Sequence, residues 1–206
     1  MARQGILVVL SGPSGTGKGT ICQELLHNHQ NLFYSVSATT RQHRAGEVNG
    51  VNYWFVPPAQ FSRMIAEDEL LEWAEVYGNR YGTPRRYVND MLASGKDVVL
   101  EIDTQGAMQI KAKFPQGVFI FIVPPSLSEL EGRLRRRGAD TPAVIAKRLS
   151  CVQNEFKYAP QYDYVVVNDE VAKATAKITA IITAEKCRVS RSADLVEAIG
   201  NNGSIG

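Results

Sequence analysis

Apolar residues in this chain gather in short continuous runs, separated by longer stretches with helical spacing. The runs are Ile6–Leu10, Val98–Leu100, Val118–Val123 and Val165–Val167. Runs rich in Val and Ile, without polar alternation, predict strands buried on both faces of a parallel sheet. Between them the spacing predicts helices over Pro84–Ser94, Gln105–Phe114, Leu127–Arg137, Pro142–Phe156 and Val171–Cys187. Ser126-Leu127-Ser128-Glu129 reads as a capping box. Thr141-Pro142 reads as an N-cap with proline at the first helical position. Strands alternating with helices predict an α/β fold with a parallel sheet flanked by helices.

Residues 33–94 break the pattern. Tyr53–Val56 and Leu70–Tyr77 have strand composition, and Gly78-Asn79 is a turn signal. A small, mainly antiparallel insertion beside the sheet is expected there. The chain then divides into a core of residues 1–32, 95–125 and 157–187, the insertion 33–94 and a helical lid region 126–156. These make one domain, 1–187. The tail, 188–206, offers little to bury; Ser192–Ile199 suits a short helix, and its last residues are expected to be disordered.

Composition narrows the function classes. A chain of 206 residues, 44% of them hydrophobic, suits one domain of ordinary size. A formal net charge of +2 gives no reason to expect nucleic acid or membrane as a partner. No obligate protein partner is implied either. The apolar run before Ser11 is shorter than a signal-peptide core, and no run is long enough to span a bilayer. Cys22, Cys151 and Cys187 are far apart and read as reduced packing thiols. A cytoplasmic protein is the expectation. His27 and His29, two apart on a predicted helix, do not share a face and are expected at the surface.

The candidate chemistry begins at Gly12-Pro13-Ser14-Gly15-Thr16-Gly17-Lys18-Gly19-Thr20, which follows the first strand and opens a helix. In that setting a glycine-rich turn curls its N–H groups into a nest for phosphate oxygens. The helix adds its positive N-terminal end, and Lys18 adds a mobile charge. The usual loop places Ser or Thr directly after the lysine to reach Mg²⁺. Here Gly19 takes that place and the hydroxyl follows at Thr20. The metal's ligands therefore stay unknown, with nucleotide phosphates, water and the neighbourhood of Thr20 as the candidates.

Other residues could serve a second phosphate or a base. Arg41 and Arg44 follow a run of hydroxyl residues, and guanidinium forks match phosphate oxygens. Tyr53 and Tyr81 could add hydroxyl donors. Glu72 lies between apolar neighbours; it either faces water or accepts two N–H groups from a ligand. Glu101 and Asp103 end the Val98 strand, on the side where open α/β sheets bind ligands. Asp103 could equally cap the next helix. Arg133, Arg135, Arg136 and Arg137 crowd one helix end, with Arg148 one helix later. They complement the helix dipole or close over a triphosphate.

Taken together, Gly12–Thr20, Ser37–Gly50 with Tyr53, Glu72-Trp73-Ala74, Gly78–Thr83, Glu101–Gly106, Arg137-Gly138 and Tyr162–Asp169 resemble the guanylate kinases, P-loop nucleoside monophosphate kinases. The resemblance runs from about Gly5 to about Cys187. It implies phosphorylation of GMP by ATP with Mg²⁺, in purine nucleotide metabolism, with dGMP as an expected second acceptor. It implies that Gly12–Thr20 hold the ATP phosphates and that Asn168 lies near the adenine. Arg41, Arg44, Tyr53 and Tyr81 would hold the GMP phosphate. Glu72 and Asp103 would accept from guanine N–H groups, and Ser37 and Thr83 would donate to its carbonyl. Glu101 belongs to the same pocket, where the family often has Asp; Thr83 stands where it often has Ser. Lys18, Arg41, Arg44, Arg137 and Arg148 would be the catalytic charges. Two other readings remain open: a P-loop kinase for another phosphorylated small molecule, and a non-enzymatic guanylate kinase-like module that binds protein.

Overall fold

The computed structural model describes residues 4–76, 78–136 and 141–202. In chain order its first elements are β1 (Leu7–Ser11), α1 (Lys18–Asn28), β2 (Leu32–Tyr34), β3 (Ala38–Thr39) and β4 (Trp54–Phe55). Next come α2 (Pro58–Ala66), β5 (Leu70–Val76), β6 (Asn79–Pro84), α3 (Arg85–Ala93), β7 (Asp97–Glu101) and α4 (Thr104–Lys113). The chain continues through β8 (Val118–Val123), α5 (Leu127–Arg136), α6 (Pro142–Phe156), β9 (Tyr164–Val167), α7 (Val171–Lys186) and α8 (Val189–Asn202).

Five strands form one parallel sheet in the order β2-β7-β1-β8-β9. β1 lies at its centre, with Val8 opposite both Val99 and Val118. Its side chains alternate between two cores, as strand geometry requires. Val8 and Leu10 pack with Ile21 and Leu25 of α1 and with Ala174 and Ile178 of α7. Leu7 and Val9 pack with Val88 of α3 and with Ala107 and Ile110 of α4. Burial on both faces is why these strands read as unbroken apolar runs. Asp97, buried where β7 begins, accepts from Ile6 N at 2.9 Å and pairs with Lys186.

The second sheet has the order β4-β3-β6-β5. It is mixed: β3–β4 is parallel, while β3–β6 and β5–β6 are antiparallel. α2, which the strand-like reading of this region does not include, buries Phe61 against Ala38 and Leu70. The boundaries expected at residues 33 and 94 move inward. β2 joins the parallel sheet beside β7, and Val88 and Leu92 of α3 pack into the main core. Three apolar residues at an edge and one amphipathic helix give no local sign of which sheet they join.

α5 and α6 pack on each other through Leu130, Leu134, Ile145 and Val152. The helix expected to reach Arg137 is described to Arg136, and Arg137 lies outside the described residues. The tail carries the helix expected there, longer than Ser192–Ile199, and residues 203–206, among those expected to be disordered, lie outside the described residues. α8 is a helix from Val189 to Asn202, tied to the core by Arg191, which bonds Gln116 O and Glu185 Oε2. Glu185 is buried and also accepts from Tyr164 Oη at 2.6 Å. Among the described residues no helix is long and apolar enough to cross a membrane.

Candidate active site

The turn between β1 and α1 opens at the carboxyl end of the central strand. Gly17 holds φ at 89°, a left-handed conformation that L side chains disfavour. A Cβ there would also meet Asn168 Nδ2 at 2.4 Å. Thr16 is buried and closes the loop on itself, its Oγ1 donating to Pro13 O at 2.9 Å. Asn168 Nδ2 donates to Thr16 O at 2.7 Å, and Arg133 Nη2 donates to Asn168 O at 2.9 Å. Two chain segments distant in sequence thus brace the loop. Asn168 is a loop brace in this structure; its side-chain Oδ1 has no hydrogen-bond partner among the described residues.

Lys18 Nζ donates to Gly12 O at 2.7 Å and to Pro13 O at 3.0 Å. Burial lowers its pKa, while Glu101, Glu155 and Asp103 act to raise it. Two of those acids were read from the sequence as ligand-facing. The third, Glu155 on α6, was not. It lines the same cleft, its Oε2 has no hydrogen-bond partner among the described residues, and burial raises its carboxyl. An acid late in a helix with mixed surroundings carries no sequence signal for this placement. Arg148, seven residues earlier on α6, donates through Nη1 to Ser14 Oγ of the loop.

The cleft holds about 740 Å³ and takes in both sheets. Of the residues singled out in the sequence it gathers Gly12, Ser14, Gly15, Gly17, Lys18, Gly19, Thr20 and Arg148. It also gathers Ser37, Arg41, Arg44, Tyr53, Glu72, Tyr81, Glu101 and Asp103. Pro13, Thr16, Thr83 and Asn168 stand behind this lining, and Arg137 is outside the described residues.

Arg41 is held before any ligand arrives. Its Nη2 donates to Glu47 Oε1 at 2.8 Å, and its guanidinium lies 5.3 Å from the Tyr53 ring centroid. Glu47 Oε2 accepts from Arg44 N at 2.7 Å, so one carboxylate orders both arginines' loop. These bonds keep the Glu47 carboxyl below the usual range, though burial opposes them. Glu47 was missed as a site residue; an acid beside two arginines in a loop was its only signal. Tyr53 and Tyr81 stack edge to face, centroids 5.8 Å apart.

Glu72 resolves the choice left open between water and pocket. It is 3% exposed. Thr83, its partner across β5–β6, donates through Oγ1 to Glu72 Oε1 at 2.6 Å. Burial pushes the Glu72 carboxyl up to about 7, against the lowering effect of Thr83, and nearby Asp103 adds to the rise. Thr83, expected to donate to a ligand carbonyl, donates its hydroxyl hydrogen bond to Glu72, because the antiparallel register sets the two face to face. Asp103 lines the cleft and also N-caps α4, accepting from Gln105 N and Gly106 N.

Among the described residues no cluster of three or more His, Cys, Asp or Glu could hold a metal ion by itself. A Cβ at Gly19 would lie 3.3 Å from Glu101 Oε2, so the carboxylate fills the space a side chain after Lys18 would enter. Tyr34 bonds this same carboxylate. The chemistry present is a phosphate cradle, several cations and one buried, near-neutral carboxyl in one cleft. It suits two anionic ligands end to end.

Comparison with known proteins points the same way. A family model described as guanylate kinase matches residues 4–185. A guanylate kinase of Caldanaerobacter subterraneus subsp. tengcongensis is 55% identical over 193 residues, covering 94% of this chain and 94% of the relative. One of Desulfitobacterium hafniense is 56% identical over 187 residues, covering 91% and 94%. The crystal structure of guanylate kinase from Anaplasma phagocytophilum superposes with a TM-score of 0.83 at 35% identity, covering 99% of this chain and 98% of that one. A gluconokinase structure from Sinorhizobium meliloti, 17% identical with a TM-score of 0.51, shares the fold alone.

Proposed function

The chain belongs to the guanylate kinase family, and from that premise we propose how its own residues carry out the transfer from ATP to GMP. The reaction is ATP + GMP ⇌ ADP + GDP, a nucleoside monophosphate kinase activity. The observation that carries the assignment of roles is that one cleft contains both the cradle around Lys18 and the buried Glu72.

The ATP phosphates lie in the curl of Gly12–Thr20, with the N–H groups and the start of α1 turned to them. Lys18 leaves its two carbonyl partners for the outer phosphates. Arg41, Arg44, Tyr53 and Tyr81 take the GMP phosphate, in a loop ordered in advance by Glu47. Glu72, oriented by Thr83, accepts from the guanine N1–H and amino group, with Asp103 and Ser37 beside it. Asn168, assigned to the neighbourhood of the adenine by the family resemblance, braces Thr16 of the loop. Thr20 and Glu101 would stand beside Mg²⁺ brought with ATP and coordinated by phosphate oxygens and water; bound there, it would supply neutralising charge. dGMP fits the same contacts, since none of the assigned groups is directed at the ribose.

A phosphate acceptor is already ionised, so the site requires no general base. Transfer through a loose transition state needs positioning and charge compensation. Lys18, Arg41, Arg44, Arg148 and, from the lid, Arg137 provide the latter. Closure of α5 and α6 over the cradle excludes water that would otherwise take the phosphoryl group. The test is a coupled assay of ADP formation with GMP, AMP, CMP and UMP as acceptors. GMP is expected to exceed the others by more than tenfold in kcat/KM. Equal rates would sink the base assignment.

A further inference from the structure

Glu72 lies between Leu71 and Trp73 on β5, the outer strand of the four-stranded sheet. An outer strand has a row of backbone groups with no strand beside it. α4 runs along part of that row. Gln109 Nε2 donates to Trp73 O at 2.7 Å, and Gln109 Oε1 accepts from Trp73 N at 3.3 Å. Lys113 Nζ donates to Leu71 O. One turn earlier, Gly106 stands against Glu72 itself. A Cβ at residue 106 would lie 2.4 Å from Glu72 Oε2, 3.0 Å from its carboxyl carbon and 3.7 Å from Asp103 Oδ2. Residues 106, 109 and 113 follow i, i+3, i+7 spacing and share one face of α4.

The backbone gives no reason for glycine at this position. Gly106 sits in the first turn of α4 and is not among the glycines with positive φ. Alanine is the better helix former. What the missing side chain provides is room for two carboxyl groups to converge on one spot.

We propose that this face of α4 positions the carboxylate that selects the base: Gly106 leaves the space Glu72 occupies beside Asp103, and Gln109 fixes the strand edge that carries Glu72. The inference rests on the reading that Glu72 accepts from guanine. Neither Gly106 nor Gln109 is assigned a contact with nucleotide, so both are positioning residues, and their effect falls on GMP binding and not on transfer.

Alanine at 106 forces the carboxyl group away from its bond to Thr83. Gly106→Ala should weaken GMP binding by about tenfold, the scale of one lost charged hydrogen bond. Turnover at saturating GMP and the KM for ATP should stay within about threefold. Shortening the acid withdraws it from the added methyl. Gly106→Ala with Glu72→Asp should therefore bind GMP more tightly than Gly106→Ala alone, although Glu72→Asp alone weakens binding. Gln109→Met keeps the volume and removes the clamp, and should raise the KM for GMP by about threefold.

The experiment is GMP titration by calorimetry on the full chain, with kcat and KM for GMP, AMP and ATP, and Glu72→Gln as control. An unchanged GMP/AMP ratio in Glu72→Gln overturns the base reading and this inference with it. A narrowed ratio there, with wild-type GMP affinity in Gly106→Ala, overturns this inference alone. So does a double variant that binds no better than Gly106→Ala. If Gly106→Ala does not fold, an unchanged KM for GMP in Gln109→Met overturns it.

Discussion

Lys18 finds its partners inside its own loop, bonding Gly12 and Pro13, whereas Glu72 meets Thr83 across a strand pair and Gly106 from another helix. The phosphate cradle is nine consecutive residues with braces added from Asn168 and Arg133. The residues proposed for the base form no continuous segment at all; Ser37, Glu72, Thr83 and Asp103 come from four places. Their electrostatics differ as well. Burial lowers the pKa of Lys18, and three acids near it act the other way, favouring its charge. Glu72 is pushed toward neutrality by burial and by Asp103, against the lowering effect of Thr83 and Lys113. A fixed charge suits phosphates, which are always anionic. A carboxyl that titrates near neutrality suits a base that must be distinguished by its hydrogen-bond pattern.

The sharpest way to break this contrast is Lys18→Met. Turnover should fall about a hundredfold or more, near 3 kcal/mol of transition-state stabilisation, with GMP binding unchanged. Near-normal turnover in a folded variant would take the fixed charge out of the chemistry. Second in size is Glu72→Gln, which replaces one acceptor with a donor. GMP kcat/KM should drop by about 1–3 kcal/mol, or roughly tenfold to a hundredfold, and discrimination against AMP should narrow while KM for ATP holds. A loss shared equally by ATP would show that the two regions are not separate.

The third prediction follows from the Glu72 carboxyl near 7. Only the ionised form accepts both guanine donors. GMP affinity should therefore weaken as pH falls below about 7, approaching tenfold per unit, and binding near that pH should release a proton. Calorimetry in buffers of different ionisation heat measures the release. In the free protein the sign is the reverse of that of a salt-bridged acid. A carboxyl raised from 4.5 to about 7 stabilises the fold fully below 4.5 and loses that contribution as pH rises through 7, about 3 kcal/mol in all. Glu72→Gln should abolish the stability dependence and leave in GMP affinity only the titration of the GMP phosphate itself, at about 6. A flat GMP affinity between pH 5.5 and 8 would show a carboxylate charged throughout. The smallest effect is expected from Thr83→Val, which removes one orienting hydroxyl. GMP KM should rise by about 0.5–1.5 kcal/mol, or roughly twofold to tenfold, and the acid limb of the pH profile should move upward. Thr83→Ser should restore both.

The sequence determined much of this protein by itself. Continuous Val/Ile runs can be satisfied only with cover on both faces, so they announced the parallel sheet. The loop from Gly12 to Thr20 is a local object whose function follows from glycine conformations and one lysine, and it was legible for that reason. The order and spacing of the motifs, from Gly12–Thr20 through Ser37–Gly50, Glu72-Trp73-Ala74 and Glu101–Gly106 to Tyr162–Asp169, carried the family resemblance. Tertiary structure decided the rest. Whether Glu72 faced water or pocket was open, because a strand of two-sided surroundings gives no sign of which face is covered. That Thr83 serves Glu72 depends on the register of β5 with β6. Glu47 and Glu155 became site residues only when a loop and the far end of α6 were folded onto the cleft. The glycine at 106 had no visible purpose until α4 was laid along β5, since the atom it makes room for lies 34 residues earlier in the chain. Local motifs encode backbone shape and are read locally; a pocket that selects a base is made of distances between segments, and those exist only in the folded chain.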